Sequence, residues 1–240
     1  VSDVPALSAM TKKHDIKLVI DNTFTPMIFS PIQLGADMVC YSMTSFINGK
    51  NDTTAGAICA SQEFINSLIC LHEGSSMLLG GVLDSMRASS IHKNLYTLHL
   101  RMKQHSSNAA YMAKKFTEHG ISASYPGLPT HPGHELMKSM MNEEFGFGGM
   151  IAIDLETPDR ASLLMKMMQE EGVGYLAVSL GYFRTLFSNS GKSTSSEVPE
   201  DEQKAMGLSP GLVRYSVGLD NDIEGTFKKI IKCIDAVNAM

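Results

Sequence analysis

Short apolar runs alternate with more polar stretches over the first hundred residues of the chain. Residues 17–20, 37–41 and 55–60 are such runs, and their length and composition are typical of buried strands. Residues 5–14 carry apolar side chains on one face and basic residues at the end, which predicts a helix. Helical segments between the strands favour an α/β fold with a mostly parallel sheet.

The pattern changes near residue 100. Apolar residues recur at helical spacing over residues 91–119 and Gly120 follows, which predicts one long helix. Further elements are predicted as strands at 149–155, 173–180 and 212–217, a helix at 160–171 and an amphipathic helix over 223–237. We therefore expect two domains, residues 1–100 and residues 101–240, with the boundary inside the long helix.

Composition and charge remove several classes of function. The formal net charge is −5 and no run of Lys and Arg stands out, so the sequence gives no footprint for nucleic acid. No apolar stretch approaches the ~20 residues that cross a bilayer, and the first residues do not form a signal peptide. The chain starts at Val1, so we expect it to begin partway through a longer protein or at a processing site.

The four cysteines show no metal-ligand spacing, and no metal site is predicted. Cys40, Cys59 and Cys233 lie in apolar surroundings, which predicts that they are small core residues. Such cysteines favour a reducing compartment, and we expect the cytoplasm or an organelle matrix.

Two loops resemble phosphate-binding sequences and are not interpreted as such. Residues 191–193, Gly-Lys-Ser, lack the glycine that a P-loop has five residues earlier, where Leu186 stands. Residues 145–149 are rich in glycine without a G-x-G-x-x-G frame, which predicts a turn entering a strand. The polar residues 188–202 predict a loop.

Candidate chemistry lies where two predicted strands end. Asp21 follows a buried strand, and ligands of open parallel sheets bind outside the carboxyl ends of the strands. Ser42 and Thr44 follow the next strand, and their hydroxyls could bind a phosphate. Each pattern has an ordinary alternative, since Asp-Asn is common in turns and Ser and Thr cap helices.

Taken together, the motifs make a specific resemblance. Asp21-Asn22-Thr23-Phe24 is followed by Gly35-Ala36-Asp37, then Ser-x-Thr, then Ala-Gly-Ala after a polar loop. Further matches are residues 125–128, 145–149, 177–181 and 207–218. This order resembles the cystathionine γ-synthase-like, or Cys/Met-metabolism, family of fold-type I pyridoxal-phosphate (PLP) enzymes over essentially the whole chain. The later segments are most similar to plant-type methionine γ-lyases.

The resemblance implies a cofactor and a role for each matching position. PLP is the implied cofactor, and Asp21 would pair with its protonated pyridine nitrogen. Ser42 and Thr44 would hydrogen-bond its phosphate. Arg214, helped by Ser179, would bind the α-carboxylate of an amino-acid substrate, since a planar guanidinium matches a carboxylate. The implied fold is part of a large PLP-binding domain followed by a smaller α+β domain.

The chain departs from the family directly after Ser-x-Thr. The family has its Schiff-base lysine there, and this chain has Ser45, which cannot form an imine and is a poor base without an activating partner. Lys50 is the nearest amine along the chain, and we expect it to be a solvated loop residue. The resemblance also implies an N-terminal half, and since only one helix precedes the Asp21 strand in this sequence, we expect a fragment or a need for partner chains.

The expected function is therefore that of a PLP-dependent sulfur amino-acid lyase that releases a thiol by γ-elimination, impaired at Ser45. Cystathionine γ-lyase, cystathionine γ-synthase and O-acetylhomoserine sulfhydrylase share these motifs and stay open as alternatives. A subunit that binds PLP and amino acid without catalysis, or that serves assembly, is the rival interpretation. The resemblance also implies a homotetramer built from dimers, or a complementing N-terminal segment.

Overall fold

The computed structural model of the chain describes residues 1–189 and 197–239. The elements of the first part are α1 (Val4–Lys13), β1 (Val19–Asp21), β2 (Met38–Ser42), a π-helical turn (Met43–Ile47), β3 (Gly56–Ala60), α2 (Gln62–Leu68), α3 (Ser75–Leu79) and α4 (Ser85–Leu95). Those of the second part are α5 (Leu98–Glu118), β4 (Ala123–Ser124), α6 (His134–Met140), a 3₁₀ turn (Glu143–Phe145), β5 (Met150–Asp154), α7 (Pro158–Glu170), β6 (Gly174–Leu176), β7 (Thr185–Asn189), α8 (Glu200–Ala205), β8 (Leu212–Ser216) and α9 (Ile223–Asn238).

The first sheet has the order β1-β2-β3 and is half parallel. Strands β1 and β2 are parallel, with Ile20 opposite Val39, whereas β2 and β3 are antiparallel, with Ser42 opposite Gly56. The sequence predicted a mostly parallel sheet. The β2–β3 connection, residues 43–55, holds the π-helical turn and a short loop but no α-helix to cross the face of the sheet, so β3 returns antiparallel.

The long helix predicted over residues 91–119 is two helices. Tyr96 and Thr97 separate α4 from α5. The carbonyl of Asn94 accepts hydrogen bonds from the Thr97 amide at 3.3 Å and from Nη2 of Arg101 at 3.1 Å. Because this carbonyl is used by a turn and a guanidinium, the helical hydrogen-bond ladder ends there and a new helix starts.

The second sheet has the order β4-β5-β8-β7-β6, with a parallel pairing only between β6 and β7 in the part of the chain described. The strand predicted over residues 173–180 is only Gly174–Leu176. Strand β7 was missed, and Ser188 and Asn189, predicted to begin a loop, are buried at its end. The P-loop-like Gly-Lys-Ser at 191–193 lies outside the described residues. The predicted turn before β5 is confirmed by the 3₁₀ turn and the glycines after it.

The main core lies between this five-stranded sheet and helices α5, α7 and α9. Helix α9 contributes the apolar face that the sequence predicted, with Phe227, Ile230, Ile234 and Val237 buried. Smaller clusters lie elsewhere, one around Phe46 and Met102 and one around Leu18. No helix in the described ranges is long and apolar enough to cross a membrane.

The cysteines divide between core and surface. Cys233 is buried in α9 and Cys40 is half-buried in β2, but Cys59 is exposed in β3. The prediction that Cys59 is a core residue is wrong because β3 is an edge strand that leaves this side chain uncovered. All four cysteines are free thiols.

Candidate functional site

Asp21 and Ser42 meet because they end neighbouring parallel strands. Thr23 links them: its amide donates to Asp21 Oδ1 at 2.9 Å, and its hydroxyl oxygen accepts the Ser42 amide at 2.8 Å. This arrangement places a carboxylate and a hydroxyl at the carboxyl edge of the sheet, where ligands of such sheets bind.

A cleft of about 470 Å³ opens at this edge. Its walls are Asp21, Thr23, Phe24, Ser42, Ser45, Val178, Ser179 and Leu180. Four of the six residues singled out from the sequence therefore line one cavity: Asp21, Ser42, Ser45 and Ser179. Ser179 lies more than 130 residues after Ser45 along the chain. Residues 178–180 supply one wall and residues between 21 and 45 the other.

Ser45 lies in the π-helical turn that follows β2. It is buried, its backbone departs from helical geometry with φ −78° and ψ −129°, and its Oγ lies 3.1 Å from Oγ of Ser42. The two hydroxyls can donate to one another in either direction, and neither is ionised. Lys50 is exposed and does not line the cleft, in agreement with a solvated loop residue.

Thr44 has a structural contact that the sequence did not suggest. Its Oγ1 accepts the amide of Ala55 at 3.0 Å and lies 3.5 Å from the Ala55 carbonyl. The residue thus holds the start of β3 against the π-helical turn, and it does not line the cleft.

Arg214 projects from β8 toward the rim of the cleft. Its Nη2 donates to the carbonyl of Val178 at 2.5 Å and reaches that of Ser179 at 3.4 Å. Both carbonyls belong to wall residues of the cleft. Burial lowers the pKa of the Arg214 guanidinium, which stays cationic because an arginine does not lose its proton in proteins.

Three residues behind the cleft were missed from the sequence. Arg101 donates to the carbonyls of Phe46 and Ile47, and Gly181 abuts the backbone of Phe46. His105 packs its ring edge-on to Phe46, with the ring centroids 5.1 Å apart. One signal was present: His105 occupies an apolar-face position of α5, between Met102 and Ala109.

His105 is a neutral, fully buried histidine. Burial lowers its pKa to about 4, so the ring carries one proton at neutral pH. Nδ1 lies 2.6 Å from the Val217 carbonyl and must carry that proton to donate, which leaves Nε2 as an acceptor. Nε2 is buried without a hydrogen-bond partner among the described residues.

Comparison with known proteins agrees with the resemblance seen in the sequence. The profile described as Cys/Met metabolism PLP-dependent enzyme matches residues 1–229. Methionine gamma-lyase of Arabidopsis thaliana is 44% identical over 225 residues, which cover 93% of this chain and 51% of that protein. L-methionine gamma-lyase of Fusobacterium nucleatum subsp. polymorphum is 35% identical over 240 residues, 96% of this chain and 59% of that protein.

A solved structure gives the same result for the fold. Cystathionine gamma synthase from Xanthomonas oryzae pv. oryzae, in complex with aminoacrylate and cysteine, has a TM-score of 0.90 and 28% identity. It covers 100% of this chain, which spans 60% of that protein. The predicted fold-type I α/β fold is thereby confirmed, and PLP is the cofactor that the family uses. The chain spans only half to two thirds of these relatives, and it belongs to the Cys/Met-metabolism family of PLP-dependent enzymes.

Proposed function

We propose that the cleft is the PLP and amino-acid site of a sulfur amino-acid lyase of the methionine γ-lyase type, and that Ser45 leaves it able to bind but not to turn over. The observation that carries the proposal is the meeting of Asp21, Ser42 and Ser45 in one cavity. The main chain that Arg214 holds forms the opposite wall. The methionine γ-lyase relatives support the type of lyase.

The donor set fits the non-covalent contacts of PLP. Asp21 uses Oδ1 for the Thr23 amide, and Oδ2 has no partner in the described part of the chain, so it can accept a hydrogen bond from a protonated pyridine nitrogen. The hydroxyl of Ser42 would contact the phosphate, and that of Thr44, whose Oγ1 accepts the Ala55 amide in this structure, would do so after turning toward the cleft. When bound, PLP supplies an electron sink for negative charge at the substrate Cα. The Asp21 carboxylate would keep the ring nitrogen protonated, as this chemistry needs.

Position 45 does not fit covalent attachment. A serine hydroxyl forms no imine, and it is a weak base unless a neighbouring group activates it. The side chain within hydrogen-bond distance is another hydroxyl, that of Ser42. We therefore expect bound amino acid to keep its Cα proton. A non-catalytic subunit that binds PLP and amino acid is the second candidate function, and Ser45 is the observation in its favour.

Arg214 is the residue proposed to bind the substrate α-carboxylate. Only its Nη2 is hydrogen-bonded among the described residues, so its remaining N–H groups are available for a charge-assisted pair. Ser179 would help from the same wall. L-Methionine is the substrate proposed, and cystathionine and O-acetylhomoserine are the alternatives. Calorimetric titration of the PLP-loaded chain with each of the three would rank them.

Assembly, compartment and domain boundary belong to the same proposal. Exposed apolar side chains on α3 and α4, such as Leu79 and Met86, support a homotetramer or a complementing N-terminal segment. Four free thiols support a reducing compartment such as the cytoplasm. We also retain the boundary near residue 100, which lies in α5, as a proposal.

The test restores an amine at position 45. The chain and its S45K variant are incubated with PLP, reduced with borohydride and mapped by mass spectrometry. We expect a pyridoxyl group at position 45 of S45K, and less of it in S45K/D21N because the ring would lose its anionic partner.

Two controls separate this result from surface labelling. S45A should show no site-specific label, and S45K/K50M should label as S45K does. Equal labelling of position 45 and of exposed lysines would contradict the cleft as the PLP site. Labelling at Lys50 of the unmodified chain would instead show a relocated amine.

A further inference from the structure

The backbone next to Ser45 is held by a guanidinium from the other domain. Arg101 of α5 donates through Nη1 to the Phe46 carbonyl and through Nη2 to the Ile47 carbonyl, the latter at 2.7 Å. These are carbonyls of the π-helical turn that carries Ser45. Hydrogen bonds from a charged group are stronger than neutral ones, so Arg101 holds the backbone of the turn strongly.

Arg101 is itself oriented by the junction between α4 and α5. Its Nε donates to Thr97 Oγ1 at 3.2 Å and its Nη2 to the Asn94 carbonyl at 3.1 Å. Gly49 lies close enough that a Cβ there would overlap the guanidinium, and its φ of +73° also favours glycine. These contacts fix the position of the Arg101 guanidinium.

Phe46 is held on two further sides. The ring of His105, one helical turn after Arg101, packs edge-on to the Phe46 ring at an interplanar angle of 84°. Gly181 approaches from the wall of the cleft, where a Cβ would overlap the amide nitrogen of Phe46. Carbonyl, ring and amide of the residue after Ser45 are thus all fixed by residues beyond position 100.

We propose that Arg101 is a positioning residue that aims the side chain at position 45 into the cleft. The second domain sets the active geometry of the turn, although the turn belongs to the first domain. The role of this side chain in a PLP site rests on the proposed function. The positioning of the turn by Arg101 rests on its hydrogen bonds to the Phe46 and Ile47 carbonyls. The residue touches no cofactor and acts only through the turn.

The first readout does not depend on the cofactor. The amides of Asn48 and Gly49 donate to the carbonyls of Met43 and Ser45 and close the π-helical turn. In R101M their hydrogen exchange should rise at least about tenfold, because the turn opens locally once its clamp is gone. K103M is the matched control, since Lys103 lies on the same helix and pairs with exposed Glu144.

The second readout uses the amine at position 45. In S45K/R101M, pyridoxylation of position 45 should fall at least about tenfold relative to S45K, because the side chain is no longer aimed. S45K/K103M should match S45K, and S45K/R101K should recover part of the loss because a lysine reaches one of the two carbonyls. Circular dichroism checks that each variant is folded.

The outcomes separate the two proposals. If S45K is not pyridoxylated but amide exchange in the turn is faster in R101M, the proposed function is contradicted and the positioning role of Arg101 stands. Equal exchange in R101M and K103M would overturn the positioning role. If R101M does not fold, T97V replaces it, since that change removes the Nε hydrogen bond, together with that of the Thr97 hydroxyl to the Asn94 carbonyl, and keeps the guanidinium. Unchanged exchange in T97V would then overturn the role.

Discussion

The two sheets of this molecule differ in how completely they are buried. All five residues of β7 are buried, and helices α5, α7 and α9 cover the five-stranded sheet. In the three-stranded sheet the outer strands expose Val19 and Ile58, each about half. Helices α2 and α3, as the structure describes them, contain no buried residue. The five-stranded sheet has a closed core, whereas the three-stranded sheet and the helices that follow it present apolar surface.

This difference explains how the site is organised. Asp21, Ser42 and Ser45 lie at the edge of the three-stranded sheet, and Phe46 and Ile47 next to them pack in one cluster with Met102 of α5. Helix α5 and the wall at residues 178–180 lie on the other side of the cleft. The π-helical turn is where these two parts of the chain meet.

The largest contrast expected is between two leucines. Leu164 is fully buried in α7, whereas Leu79 at the end of α3 is 84% exposed. L164A should lower the free energy of unfolding by about 3–5 kcal/mol, because it leaves a cavity in a packed core. L79A should change it by less than about 0.5 kcal/mol. Urea unfolding followed by circular dichroism measures both.

Equal losses in the free energy of unfolding at the two leucines would contradict this difference between the sheets. A loss in L79A as large as that in L164A would mean that Leu79 is buried in an assembly, as proposed for the exposed apolar surface of the first domain. Analytical ultracentrifugation of L79A would then show a change in the state of association.

The next effect lies at the junction and depends on pH. The pKa of His105 is about 4 in the folded chain and 6.5 is its ordinary value, so the unfolded chain binds a proton first as the pH falls. Stability from this residue is therefore complete above pH 6.5 and is lost as the pH falls from 6.5 to 4. The loss amounts to about 3 kcal/mol. Urea midpoints across this range, compared with H105Q, measure it; parallel curves would refute a neutral, buried His105.

The sequence predicted the elements with strong periodicity and missed those defined by partners. Helix α9 shows its apolar stripe in the sequence, and residues 38–42 read as a strand from composition alone. The break at Tyr96 could not be predicted, because it depends on the guanidinium of Arg101 taking a helix carbonyl. Strand β7 was missed because Ser188 and Asn189 are polar, and they are buried only by their neighbours.

The site divides in the same way. Asp21 and Ser42 could be placed together from sequence, since both end neighbouring strands of one sheet. The contact of Thr44 with Ala55 could not be predicted, because it arises from the antiparallel return of β3, which brings that amide within reach. The grip of Arg101 crosses 54 residues of chain to Ile47, a separation that no local pattern encodes.

Two glycines test how tightly the π-helical turn is packed. Gly181 and Gly172 share a φ of +72°, but a Cβ at Gly181 would overlap Phe46 whereas nothing lies within 4 Å at Gly172. G172A should cost about 1 kcal/mol for the left-handed backbone alone. G181A should cost about 1–3 kcal/mol more, from overpacking against the turn. Equal losses in thermal unfolding would mean that the π-helical turn yields easily.

The smallest effect expected lies next to the three-stranded sheet, at Asp37. Asp37 accepts the Leu18 amide at 2.9 Å and the Lys17 ammonium at 3.3 Å, and its pKa lies below the usual value. The Leu18 hydrogen bond is the largest cause, and Lys17 is mostly solvated, so water screens its charge. In K17M the pKa of Asp37, followed by NMR, should therefore stay below its usual range. A return to the usual value would show that the ion pair, rather than the strand amide, holds the carboxylate, and that this exposed domain relies on surface charge where the other relies on packing.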